Sequence, residues 1–306
     1  MLTTMVTMMT MLTRASVDVG EKYMARVADV LDVINEVFPF AHAFDGDSVG
    51  LLIGDANMPV TGVLVALDPG LETLARAQEL GANVVVSHHP IRFNSFGHFN
   101  ITHVANTYPE RVLAAALSAD IAVIAAHTNV DVAESVRCYW GNKLGFKHIG
   151  PLPAITTKRG FPREKTVLDA SDPYGELWRV NNPCSLDLLA AEVAEVADSS
   201  VRVYGDGEAM ISTVVTATGS ASGRIAEAQV AGADCIIGGE FSYHAALAAV
   251  ESGLTLIELG HDVSELPLVN FIAEAVQTCN VLPDCKVYIE DRPELWRNVS
   301  TGIKEM

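Results

Sequence analysis

Four short, apolar, largely β-branched runs in this chain each stop on a histidine or a glutamate. Val84-Val85-Val86-Ser87 runs into His88-His89-Pro90, and Ile121 to Ala126 runs into His127, with Asp131 four residues on. Cys235-Ile236-Ile237-Gly238-Gly239 ends on Glu240, with His244 four residues on, and Thr255 to Gly260 ends on His261, with Glu265 four residues on. Runs this short, bounded by glycine or polar residues, are the mark of parallel strands buried on both faces. Parallel strands need helical crossovers, so the chain is constrained to an α/β architecture. In open α/β sheets ligands bind beyond the carboxyl ends of the strands, where these side chains stand.

The intervening sequence supplies the crossovers. Tyr23 to Phe38 carries a helical face of Val27, Val30, Leu31, Ile34, Val37 and Phe38, ended by Pro39. Thr61 to Asp68 reads as a strand, Leu71 to Leu80 as a helix closed by Gly81, and Asn106 to Leu117 as a helix with Pro109 in its first turn. The pattern then returns. Ser185 caps a helix running to Ala197, Ile211 to Ala217 is a strand, and Ile225 to Ala231 is a helix ended by Gly232. A helix to Ser252 then separates the Glu240 and His261 strands. The expected fold is two similar α/β lobes with mainly parallel sheets. The first spans residues 24–149 and the second 183–306, whose C-terminal part could pack back on the first. Between them, residues 150–182 are rich in proline, glycine and charge and read as an irregular connector with room for one hairpin. Residues 1–23 read as a Met/Thr-rich disordered tail, or as sequence upstream of a start at Met24.

Composition narrows the function classes. A net charge of −18 argues against a general nucleic-acid binder, which needs a basic footprint for phosphates. No run approaches the length of a membrane span, and no basic region precedes the apolar start as in a signal peptide. Five cysteines without Cys-x-x-Cys spacing fit a reduced compartment, so the expected location is cytoplasmic.

Each strand-end donor taken singly has an ordinary structural role open to it, such as a strand cap or a helix N-terminal acid. About two His/acid pairs at i,i+4 are expected by accident in such a chain. Their common placement at strand ends is what points to a metal site. Imidazole and carboxylate without thiolate suit Zn, Fe, Mn, Co or Ni, and so many donors suggest two divalent ions rather than one. Two ions sharing a carboxylate form a hydrolytic arrangement in which a bridging hydroxide attacks. Glu265 is the first choice for the shared carboxylate, since it has two oxygens to divide. His42, His98, His103 and His148 lack the strand-end setting and are assigned to surface or packing roles.

The segments Ser87-His88-His89-Pro90, His127-Thr128-Asn129-Val130-Asp131, Gly239-Glu240-Phe241-Ser242-Tyr243-His244 and Gly260-His261-Asp262-Val263-Ser264-Glu265 resemble the NIF-three-like dinuclear metal centre family. Members of that family are often labelled GTP cyclohydrolase I type two homologues. Asp47-Ser48-Val49-Gly50-Leu51 is similar to its N-terminal segment, with serine where asparagine is usual. The resemblance implies metal ligands His88, His89, Asp131, His261 and Glu265, with His127 and His244 lining the same cavity as proton carriers. It also implies a site in the cleft between the lobes and a homohexameric ring. The expected function is a metal-dependent hydrolase acting on a small anionic or nucleotide-like substrate. The alternative is a non-catalytic metal-handling protein or a ring-shaped scaffold. Gly219 to Gly223 could cradle an anion, against the plainer reading of a tight turn.

Overall fold

A computed structural model describes residues 24–91, 107–153, 174–278, 285–291 and 295–296. The expected N-terminal tail, His98, His103 and the middle of the expected connector lie outside these residues.

The first half runs α1 (Val27–Val37), β1 (Gly50–Ile53), β2 (Val63–Ala66), α2 (Leu71–Leu80), β3 (Val84–Ser87), α3 (Tyr108–Ser118) and β4 (Ala122–Ala125). Three short helices follow: α4 (Thr128–Asp131), α5 (Glu134–Arg137) and α6 (Tyr139–Lys143). Gly81 closes α2 at φ +69°, the left-handed cap expected of it. Strands β4, β3 and β2 are parallel neighbours, and β1 pairs antiparallel with β4 at one edge. Each parallel strand here is buried along its length, because both faces are covered. Val63, Val65, Val84, Val86 and Ile124 face one apolar cluster, and Leu64, Val85 and Val123 face another. The α1 face differs from expectation by one position: Val33 is buried, whereas Val37 is half exposed.

The second half runs β5 (Lys147–Pro151), β6 (Glu176–Ser185), α7 (Leu186–Ala197), β7 (Arg202–Tyr204), β8 (Met210–Thr216), α8 (Ile225–Val230), β9 (Cys235–Gly238), α9 (Tyr243–Glu251), β10 (Thr255–Glu258), α10 (His261–Gln277) and β11 (Val287–Ile289). Ser185 accepts the Leu188 N–H and so caps α7 as expected. The second sheet has the order β5-β6-β8-β9-β10-β7. Its centre, β8-β9-β10, is parallel, and antiparallel strands flank it on both sides. Residues 150–151 and 176–182, expected in an irregular connector with room for one hairpin, belong to the antiparallel pair β5–β6. Proline and glycine masked an alternation in which Trp178 and Val180 are buried and Arg179 points outward.

The longest helix among the described residues, α10, links the halves. Its N-terminus follows β10 of the second sheet, while Leu268, Val269, Ile272 and Val276 pack with α1 and the first sheet. Strand β11 then pairs parallel with β2 and adds an edge strand to the first sheet. Among the described residues, no helix is long and apolar enough to cross a membrane.

Candidate metal centre

The four apolar runs form β3, β4, β9 and β10, and their carboxyl ends converge from both sheets. His88 and His89 leave β3, His127 leaves β4 and leads into α4 with Asp131, and His261 opens α10 with Glu265 one turn on. The i,i+4 spacing within α10 puts His261 and Glu265 on one face, with Nε2 3.1 Å from Oε2.

Glu265 stands at the middle. Its Oε1 lies 3.7 Å from His88 Nε2, and its Oε2 lies 2.8 Å from His89 Nε2. Asp131 Oδ2 lies 3.6 Å from the same His88 nitrogen. The donors therefore fall into overlapping groups: His88, Asp131 and Glu265; His89, His261 and Glu265; and His88, His89 and His127. Donors each 2.0–2.2 Å from a common ion stand about 3 to 3.6 Å apart. These spacings suit ligation better than direct hydrogen bonding at His88.

Each ring is aimed by a second contact. His88 Nδ1 donates to the Ala126 carbonyl at 3.0 Å, which leaves Nε2 as the ring nitrogen facing the carboxylates. His89 Nδ1 meets Asp68 at 2.9 Å, His127 Nδ1 meets Asp47 at 2.9 Å, and His261 Nδ1 meets Glu240 at 3.2 Å. Thr218, just beyond β8, donates to Asp131 Oδ1 at 2.9 Å. Carboxylate or carbonyl partners behind imidazole ligands are the usual outer support of a metal site.

The fit of a cation rests on one buried atom. His88 is fully buried, and its Nε2 has no hydrogen-bond partner among the described residues. A buried ring nitrogen left without a hydrogen-bond partner is costly, and two buried carboxylates crowded against it compound the cost. A divalent ion would satisfy all three. The charges respond to this crowding. Burial pushes the Asp131 carboxyl up, and the Glu265 charge adds to that against the pull of His88. Burial acts on Glu265 in the same sense, but the facing His261, His88 and His89 rings outweigh it and hold its carboxyl well below the ordinary range. Burial disfavours charge on His89, yet the hydrogen bonds to Asp68 and Glu265 raise its pKa to about 10. The Glu265 hydrogen bond, against burial, raises His261 to about 9.

All five expected ligands are thus together, and His127 is beside them, with its ring centroid 5.2 Å from that of His88. His244 is not. It lies on α9, exposed, with its ring against Tyr243, because the first turn of α9 carries it away from the strand ends. Nothing in this arrangement supports the proton-carrying role expected of it. Asp68 and Thr218 lie outside the expected site residues, and Asp47 enters only as part of the N-terminal segment, though Asp68 ends the β2 run as His89 ends the β3 run. Gly219 is a close-approach position rather than an anion cradle: at φ +54°, an added Cβ would stand 2.1 Å from Glu265 Oε1. His148, assigned to packing, lies against Trp178 and bonds Glu176 at 2.8 Å.

The profile of the DUF34/NIF3 (NGG1p interacting factor 3) family matches residues 25–291. The chain belongs to the DUF34/NIF3 family. It is 30% identical over 254 residues to a Streptomyces coelicolor protein named GTP cyclohydrolase 1 type 2 homolog, covering 80% of this chain and 83% of that one. A Clostridium perfringens protein of the same name is 25% identical, covering 82% and 91%. Among solved structures, a Staphylococcus aureus hypothetical protein superimposes with a TM-score of 0.76 at 25% identity, covering 90% of this chain and all of that one. A Bacillus cereus protein related to NIF3 gives 0.72 at 21% identity, covering 90% and 100%. The family membership agrees with the resemblance carried by the strand-end motifs.

Proposed function

We propose that this DUF34/NIF3 chain is a two-metal hydrolase for a small, nucleotide-like substrate. The observation that carries the reading is the division of Glu265: one oxygen faces His88 and the other faces His89 and His261. His88 and Asp131 would hold one ion, His89 and His261 the other, with Glu265 shared. Bound divalent ions would acidify a water and polarise the bond to be cleaved. The chain's own groups do the rest. Asp68, Glu240 and the Ala126 carbonyl hold the imidazoles in the ligating tautomer. His127, with Nδ1 donated to Asp47, presents Nε2 as the group that accepts and returns a proton. The names of the curated relatives favour a nucleotide, and a cytoplasmic homohexamer with the site between two lobes goes with this reading.

The test is metal content per chain in protein purified without chelator, together with turnover of GTP and a panel of phosphoesters. About two ions with metal-dependent turnover is the expected result. Glu265→Gln should lose at least one ion while its far-ultraviolet circular dichroism stays unchanged; retention of both would falsify the shared-carboxylate assignment. Two ions without turnover on any substrate would leave the metal-handling alternative in possession.

A further inference from the structure

A cavity of about 590 Å³ opens beside the cluster, with His89 and His261 on its inner side. Its size suits a ligand the size of a nucleotide. What the walls offer is unusual for an anion pocket. The arginine in the lining, Arg202, is engaged by Glu258 and hydrogen-bonds Tyr204 at 3.3 Å. Tyr204 donates to the other Glu258 oxygen, which completes a closed triad on the edge of the second sheet. The other polar side chains of the lining include the carboxylates Asp68, Glu240 and Asp262, the Ser200 hydroxyl and the Trp296 N–H. Glu240 uses Oε1 on His261 and is half exposed. Asp262 uses Oδ1 on the Val263 N–H at 3.0 Å, and its Oδ2 has no partner among the described residues. Beside Asp262 stands Trp296, whose Nε1 points at Asp262 Oδ1 from 3.5 Å and whose Cζ2 would lie 3.3 Å from a Cβ on Gly260.

The indole N–H marks a direction. A flat ring stacked on Trp296, with N–H groups along the same edge, would aim them at the Asp262 carboxylate, which only accepts. We propose that this cavity binds a heteroaromatic ring with a donor edge, stacked on Trp296 and read by Asp262, while the ligand's remaining groups extend toward the metal cluster. Selectivity then comes from matching: a ring that brings an acceptor to Asp262 leaves a carboxylate facing a lone pair. This rests on the two-metal hydrolase reading only for which end of the ligand reacts; recognition of the ring is independent of it.

GMP, IMP and AMP test the idea, because their base edges differ. Guanine presents two adjacent N–H donors, hypoxanthine one, and adenine an amino donor beside an acceptor. Calorimetric titration of the metal-loaded full chain should rank GMP over IMP over AMP, by roughly tenfold for a lost donor to a charged acceptor. The same rank should persist after chelation. Trp296→Ala should weaken all three by about tenfold, and Trp296→Phe should restore most of that loss. Asp262→Asn should compress the ranking, with metal content measured in the same sample. Equal affinities for the three, no measurable binding, or a Trp296→Ala variant that binds as the wild type would each overturn the proposal. Ranked binding without any turnover would sink the hydrolase reading alone. Turnover of GTP without ranked binding would sink this inference alone.

Discussion

Gly219 shows how little room the site leaves around a single residue. A methyl group there would occupy the space of Glu265 Oε1, and the backbone sits at φ +54°. Gly219→Ala should displace the carboxylate as well as strain the turn. We expect a loss of about 1–3 kcal/mol in urea unfolding, together with a fall in metal stoichiometry. The histidines carry a pH signature of their own. With pKa values of about 10 and 9 in the metal-free fold, against an ordinary 6.5, protonated His89 and His261 contribute stability that is complete below pH 6.5. That contribution is lost as pH rises through 9 to 10. Metal must displace those protons, so binding strengthens over the same range. The melting-temperature gap between metal-loaded and metal-free protein should therefore widen from pH 6.5 to 9, as scanning calorimetry at several pH values would show. A constant gap would contradict the protonation of the empty cluster.

At the scale of elements, α10 does two jobs. One end carries His261 and Glu265, and the rest buries Leu268, Ile272 and Val276 against α1 and the first sheet. Ile272→Ala lies far along the helix from the candidate ligands and should cost about 2–5 kcal/mol in stability, read by urea denaturation. Its metal stoichiometry at saturation should match the wild type. A second element-scale device is buried Glu176 on β6, held by His148 and by Arg137 of α5. This ties the short helices after β4 to the second sheet. Glu176→Ala should be strongly destabilising, by about 3–5 kcal/mol, because it strands a partly buried arginine.

At the scale of the whole molecule, the candidate ligands come from both sheets, so ions held there would join the two halves of the chain. Chelation should lower the melting temperature while leaving secondary structure intact. Hydrogen exchange should rise at the carboxyl ends of β3, β4 and β10 and in the first turn of α10, with little change at α2 or α7. Uniform exchange changes would argue that the ions act on folding globally rather than at this junction.

Much of this was legible along the chain. The β-branched runs and their terminal donors determined four of the parallel strands, and glycine and serine caps marked where α2 and α7 stop and start. That followed because burial on both faces leaves a local apolar pattern, and caps satisfy local backbone groups. Short edge strands left no such pattern: β1, β7 and β11 have three or four residues each and are specified by their partners. Equally, sequence spacing treated Glu240-x-x-x-His244 and His261-x-x-x-Glu265 as equivalent pairs. Only the fold separated them, because α9 starts at Tyr243 and leaves His244 exposed, while α10 starts at His261 itself. The same holds for Asp47, whose segment does not indicate the side chain it meets, and for Asp68 and Thr218, each ordinary in its local sequence. Their contacts with His127, His89 and Asp131 span 80, 21 and 87 residues. Local pattern reports what a residue does within its own element; which side chains meet across two sheets is decided when those sheets pack.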